Sequence, residues 1–340
     1  MSRLRAFARG ASITGLATIA VGSTAYAAER VLAGRIRRNG GEGVVDVLEP
    51  IGHGARAIAS HDGGTISFVD VPAIGGCEFA PIVLSHGVTL SVRTWVQQID
   101  AFANAGHRTI AFDHRGHGGS KLGTNGFGVE QLGRDIADVL EHLEVTGAIV
   151  VGHSMGGIGV QSFVAQFPDI ARRHVAGIVL LSTLPSALSG SQAARFGQAV
   201  ERITRRTPDS TRLWANPHLG LVLARFGFGK DPNARDVELV RQMMHECDRA
   251  TRVDGPRSLI GFDLVEELAR IDIPTLIIGG SADVITPPHD SQRMHDRIPR
   301  SQLVMLDGGG HMLMLERAAE VIRLILQFAD EVGTEPGPAG

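Results

Sequence analysis

Six short, almost continuously apolar runs constrain this chain most: Pro81-Ile82-Val83-Leu84, Thr109-Ile110-Ala111-Phe112, Ala148-Ile149-Val150-Val151, Gly177-Ile178-Val179-Leu180-Leu181, Pro274-Thr275-Leu276-Ile277-Ile278 and Gln302-Leu303-Val304-Met305-Leu306. A strand with one wet face alternates polar and apolar residues, whereas a strand buried on both faces does not. These runs therefore call for a sheet covered by helices on both sides. Helical spacing fills the gaps, over Trp95 to Ala105, Val129 to Leu143, Gly157 to Phe167, Pro288 to Arg297 and Ala318 to Val332. Strand alternating with helix predicts a mostly parallel, doubly wound α/β sheet. Ala57 to Ser60 and Thr65 to Val69, flanking the turn-rich His61-Asp62-Gly63-Gly64, add an edge hairpin and bring the strands to eight.

The alternation lapses from 185 to 271, where the pattern reads only as helices, among them Ala193 to Thr204 and Asp236 to Cys247. A structureless loop of that length is improbable in a compact domain, so this stretch is expected to be a helical cap inserted after the sixth strand. The expected core is then 44–184 with 272–332, and 333–340, rich in Gly and Pro, is expected to be a disordered tail. The first forty residues differ. Ala11 to Ala28 carries no charge and follows Arg3, Arg5 and Arg9, the form of a signal peptide or membrane anchor, with Ala25-Tyr26-Ala27 as a cleavage site. Arginines from Arg30 to Arg38 follow it and favour an uncleaved anchor. The expectation is membrane association through 11–28, or export; a cytoplasmic protein with a peripheral helix is the alternative.

Charge excludes one class of partner: 33 basic and 36 acidic residues are interspersed, leaving a net charge of -3 and no basic footprint for nucleic acid. Cys77 and Cys247 form no CxxC pattern, and the fourteen histidines show no HExxH spacing. Two unpaired thiols and no metal are expected.

The chemistry is carried by Gly152-His153-Ser154-Met155-Gly156-Gly157, which lies between an apolar run and a helical pattern. Turning from strand to helix within so few residues forces the serine into a strained backbone, and Gly152 and Gly156 leave room for the adjacent chain. The Met155 amide, at the positive end of a helix, then faces a developing oxyanion. A serine hydroxyl is a weak nucleophile and needs a base and an orienting carboxylate, which follow it in the chain order acid, then histidine. His311 follows the last run and three glycines. Asp283 follows the preceding run, within Gly279-Gly280-Ser281-Ala282-Asp283-Val284-Ile285-Thr286-Pro287. Asp290, Asp296 and Asp307 compete for its role; the first two fall within a helical pattern, and Asp307 lies early in the histidine's own loop.

These motifs resemble the α/β-hydrolase fold family. Leu84-Ser85-His86-Gly87-Val88 is similar to its HG oxyanion motif, and Asp113-His114-Arg115-Gly116-His117-Gly118-Gly119-Ser120 to its DxRGxGxS loop. With the elbow and the Asp283 and His311 loops, five motifs fall in the family's order. The resemblance implies that the Val88 amide is the second oxyanion donor; it also follows a strand and a glycine, which leaves it free to face the site. His86, His114 and His153 are expected to shape their loops. Relatives that cleave epoxides or haloalkanes carry aspartate where this chain has Ser154, so the resemblance implies acyl transfer to serine without a cofactor. His153 is the residue of esterases and lipases at that place, so a small carboxylic ester, lipid-like if Phe196, Ile203, Leu213, Trp214, Leu219, Leu221, Val222, Leu223, Phe226, Phe228, Met243 and Met244 line a tunnel, is the expected substrate. Three alternatives stay open: a perhydrolase sharing the triad; an aminopeptidase or amidase using Glu201, Glu238, Glu246 or Asp248 as an amine clamp; and a non-catalytic binding protein.

Overall fold

Alternate residues of each apolar run face opposite sides of one sheet. Ile82, Leu84, Ile149, Val151, Val179, Leu181, Leu276 and Ile278 belong to one buried cluster, and Val83, Val150, Ile178, Leu180 and Ile277 to a second on the other face. Each such side chain contributes about 1.5–3 kcal/mol by burial, so the sheet is held from both sides. The structure, a computed structural model, describes residues 54–75, 79–187 and 215–334 together with Arg30, Ala33, Gly34 and Ile36.

Eight strands form one sheet: β1 (Arg56–Ala59), β2 (Thr65–Val71), β3 (Phe79–Ser85), β4 (His107–Phe112), β5 (Ala148–His153), β6 (Val175–Leu181), β7 (Thr275–Gly280) and β8 (Ser301–Leu306). Their order is β1-β2-β4-β3-β5-β6-β7-β8. Only β2 runs against its neighbours; the pairs from β4 to β8 are parallel. The expected hairpin is β1 and β2, in register from Arg56 opposite Phe68 to Ala59 opposite Thr65, with Gly63 turning at φ 83°. The strand order reverses between β3 and β5, and the crevice at the carboxyl ends there is where open α/β sheets place ligands.

Ten α-helices have both ends among the described residues: α1 (Val96–Asn104), α2 (Val129–His142), α3 (Met155–Gln166), α4 (Pro168–His174), α5 (Leu219–Arg225), α6 (Ala234–Glu246), α7 (Arg249–Ser258), α8 (Pro288–His295), α9 (Leu313–Glu316) and α10 (Ala318–Thr334). Ile99 and Phe102 of α1 and Val321, Ile325 and Phe328 of α10 cover the first face; α2, α3 and α8 cover the second. Helix α3 starts two residues earlier than its spacing predicts, because Gly156 and Gly157 hide its first turn from any propensity argument. Between β6 and β7 the described residues hold helices α5, α6 and α7 and no strand. The expected helix from Ala193 to Thr204 lies outside the described residues, as do 335–340.

The leader expectation is corrected. No helix among the described residues is long and apolar enough to cross a membrane, and 11–28 lie outside them. Just beyond that stretch, helical Ala33 and Ile36 are buried in the core cluster of the first face. Residues read as a basic flank of a membrane segment are thus partly committed to the globular core, and placement at a membrane or outside the cell loses its structural support.

One buried ion cluster ties the hairpin to the rest. Arg115, in the loop after β4, donates to both Asp135 oxygens on α2 at 2.6 and 2.7 Å, to Asp62 of the hairpin turn at 3.1 Å and to the Gly126 carbonyl at 2.7 Å. All three side chains are at most 2% exposed. Removing the cation strands two carboxylates away from water. Arg115→Met is expected to lower stability by about 3–5 kcal/mol, read from urea unfolding of wild type and variant.

Candidate active site

The turn between β5 and α3 is made by Ser154 alone, at φ 53° and ψ -118°. Such a backbone costs a non-glycine residue about 1–3 kcal/mol and persists only where neighbours hold it. They do so here: the Ser154 amide donates to the Leu181 carbonyl at 3.1 Å, and the Thr183 hydroxyl and Ile158 amide donate to the Ser154 carbonyl at 2.7 and 3.1 Å. A Cβ on Gly152 would stand 2.5 Å from the Gly156 carbonyl oxygen, and one on Gly156 would stand 2.3 Å from that of Ser85. Strands β3 and β5 and helix α3 therefore converge at a distance only glycine permits. Ser154 is half-exposed between buried neighbours.

The loop after β3 leans over this turn. A Cβ on Gly87 would lie 3.2 Å from the Ser154 Cβ and 2.9 Å from His153 Nδ1, so the next amide, Val88, comes close to the serine. Neither the Val88 nor the Met155 amide has a hydrogen-bond partner among the described residues. Free donors of this kind are what a developing oxyanion requires. His86 shapes this loop: its Nδ1–H donates to the Gly87 carbonyl at 2.7 Å and its Nε2 accepts the His114 amide at 3.0 Å. Burial pulls its pKa down to about 4, so it is neutral, and Asp113, 3.7 Å from Nε2, is a neighbour rather than an ion-pair partner. His114 is buried too, its Nε2 on the Ser85 hydroxyl at 2.8 Å.

Asp283 and His311 come from the loops after β7 and β8 and meet: His311 Nδ1 lies 2.9 Å from Asp283 Oδ2. The Thr286 hydroxyl donates to the same oxygen at 2.6 Å, and the amides of Ile285 and Thr286 each donate to Oδ1 at 2.8 Å. Burial alone would raise the Asp283 carboxyl, but the His311 imidazole and the Thr286 hydrogen bonds outweigh it and hold the group below the ordinary carboxylate range. The His311 loop reaches the elbow through its backbone, whose carbonyl accepts from His153 Nε2 at 3.0 Å. Burial first, and the His311 field second, keep His153 neutral, its pKa well below the ordinary histidine value. Asp296 pairs with Gln292 at 2.8 Å and Asp307 with the Ser281 hydroxyl at 3.1 Å; Asp290 lies buried on α8. Asp283 thus holds the contact with His311 for which they were competitors.

The sequence profile of the alpha/beta hydrolase fold matches residues 80–318. The chain belongs to the α/β-hydrolase fold family. It is 28% identical to the bifunctional esterase/perhydrolase DCH of Acinetobacter calcoaceticus, over 80% of this chain and 98% of that one. It is 31% identical to a non-heme chloroperoxidase of Burkholderia pyrrocinia, over 62% of this chain and 77% of the relative. Among solved structures, an esterase from Exiguobacterium antarcticum superposes with a TM-score of 0.72 at 20% identity, covering 82% of this chain and all of that one. These likenesses make the chain an enzyme of the α/β-hydrolase type.

In this α/β-hydrolase only one set of described residues brings ligand atoms close enough for a metal ion: His61, Asp135 and Asp138, within 4.8 Å of one another. Their lone pairs are already engaged. Arg115 grips Asp135, Arg134 donates to Asp138 at 2.8 Å, and His61 Nδ1 lies 3.0 Å from Asp138. Two guanidinium groups would repel a cation, so this is an ion-pair network. Of the two cysteines, Cys247 is a buried free thiol that burial pushes up to about 12, and Cys77 lies outside the described residues. Thr286 and Thr183 escape the sequence reading. The first had a signal, since an aspartate followed by a threonine three residues on favours a local side-chain turn; the second had none.

A carboxyl whose pKa is lowered by folding stabilises the fold above its unfolded pKa, and that stability is lost as pH falls through the folded value. Asp283→Asn is therefore expected to be less stable than wild type at neutral pH, and the two unfolding free energies should converge below about pH 4. Denaturant titrations across that range check this; a constant difference at all pH values contradicts it.

Proposed function

We propose that this α/β-hydrolase cleaves carboxylic esters through an acyl-enzyme on Ser154, with His311 as general base and Asp283 as its orienting acid. The observation that carries the reading is the 2.9 Å contact of His311 with Asp283 at the end of the sheet that bears the strained serine. In this reading the Ser154 hydroxyl attacks the ester carbonyl while His311 Nε2 takes its proton, and the Asp283 carboxylate stabilises the imidazolium. The tetrahedral oxygen receives the Val88 and Met155 amides. Collapse expels the alcohol, protonated by His311; water, deprotonated by the same imidazole, then attacks the acyl-enzyme and releases the acid. No cofactor enters these steps.

The helical segment between β6 and β7 serves in this reading as a cap that shapes the acyl site for a small, apolar ester. Leu221, Phe228 and Met243 are buried in the core and Val222 and Met244 pack against it, which leaves half-buried Leu219 and Leu223 and half-exposed Phe226 as better candidates for substrate contact. Phe196, Ile203, Leu213 and Trp214 lie outside the described residues. The names of the relatives favour one second reading: an acyl-enzyme that transfers to peroxide as well as to water.

A fluorophosphonate probe and a series of p-nitrophenyl esters of increasing acyl length test the proposal. Wild type is expected to label and turn over, and Ser154→Ala to lose labelling and on the order of ten-thousandfold or more in kcat/KM. A wild type that neither labels nor turns over would mean a binding protein. Turnover of aminoacyl amides but not esters would mean an amidase.

A further inference from the structure

Three consecutive amides carry His311, and each is spoken for. The Gly310 and Met312 amides donate to the carboxylate of Glu316, on α9, at 3.1 Å each, Gly310 to Oε2 and Met312 to Oε1. The His311 amide donates to the Gly227 carbonyl at 2.9 Å, and that oxygen also receives Met312 at 3.1 Å. Gly227 lies just beyond α5, in the segment between β6 and β7. The same segment supplies a third donor to Glu316: the Gly229 amide, 2.7 Å from Oε2. One carboxylate thus bridges both flanks of the histidine and the edge of the helical insert.

The approach is as close as backbones allow. A Cβ on Gly310 would stand 2.1 Å from the Gly229 nitrogen, and one on Gly229 would stand 2.2 Å from the Gly308 carbonyl oxygen. No side chain fits between the two segments, and the Lys230 amide donates a hydrogen bond to the Gly308 carbonyl at 3.3 Å. A half-buried anion accepting three amides is unlike a surface glutamate. Charge-assisted bonds of this kind are about twice as strong as neutral ones, and both oxygens are needed to reach donors that diverge.

We propose that Glu316 is a positioning residue: it fixes the backbone on both sides of His311, and so the direction of the imidazole, and ties that direction to the 227–230 edge of the insert. The inference rests on the reading of His311 as the general base. A carboxylate that held only the fold would change stability; one that aims the base changes turnover at equal occupancy of the site. The distinction is large in rate, since misplacing a catalytic group by about 1 Å costs on the order of a hundredfold.

Glu316→Ala, Glu316→Gln, Ser154→Ala and wild type decide it, assayed on a short p-nitrophenyl ester at mildly alkaline pH, a choice that favours the carboxylate because burial raises the Glu316 carboxyl. Rates are normalised to sites titrated by the fluorophosphonate, so unfolded molecules do not count. Glu316→Ala is expected to lose about tenfold to a hundredfold in kcat with KM within about threefold of wild type. Glu316→Gln keeps one acceptor oxygen and should recover to within about three- to tenfold of wild type, melting as wild type does. Should Glu316→Ala not fold, Glu316→Gln decides alone. Wild-type kcat in Glu316→Ala, or in Glu316→Gln where it stands alone, overturns the inference, as does a loss confined to KM. Full activity in Ser154→Ala would instead sink the serine-hydrolase reading itself.

Discussion

The backbone of one serine sets the geometry on which the rest of this molecule depends. Ser154 is held at a positive φ by three hydrogen bonds, from β6, the loop beyond it and the first turn of α3. The fold can meet that strain because two clusters of apolar side chains grip the sheet from opposite faces, leaving β5 and α3 little freedom to relax. The strain in turn decides where everything else must arrive. The loops after β3, β7 and β8 all leave the same end of the sheet; those after β3 and β8 reach the turn at Ser154, and that after β7 meets His311.

Buried histidines around that point look like chemistry and are mostly architecture. His86 and His153 are pulled far below the ordinary titration range by burial, and each spends a ring nitrogen on a backbone group. Asp283 shows the opposite balance: a buried carboxyl that remains the anion because the imidazole and the Thr286 bonds compensate its lost water. Placing neutral imidazoles behind one ionised carboxylate leaves a single strong field at His311.

Much of this was legible in the sequence for plain reasons. Runs apolar on both faces, such as Ala148 to Val151, have one stable use, in a helix-covered sheet, and six of the eight strands follow. The turn at Ser154 was legible because glycines at 152 and 156 mark a crossing of backbones. What stayed hidden obeys different rules. Helix α4 is only seven residues long, opens on Pro168 and ends in Arg172, Arg173 and His174, with too few turns to show a period. Glu316 is one glutamate among many until the chain folds back and brings Gly229, from a segment far upstream, into reach of it. Thr183 likewise acts through a contact that no local spacing encodes. The leader was misjudged for a related reason: charge and hydropathy describe what a segment could enter, while the burial of Ala33 and Ile36 depends on a surface that exists only after folding.

The helical insert departs after β6 and returns before β7, strands that lie side by side. Its two ends are stitched together before the helices begin, by backbone bonds from Ala187 to Phe262 and from Leu264 to Pro185 around the bridge of Ser186 with Asp263. This makes a narrow neck whose closure belongs to the neck itself and not to the helices beyond it. Since doubling a loop's length adds only about 0.6 kcal/mol to its closure, the neck turns the insert into an exchangeable cassette. A lineage can rewrite the helices of that cassette so long as the 227–230 edge that holds the backbone around His311 is kept, while the sheet and its turning point are inherited unchanged.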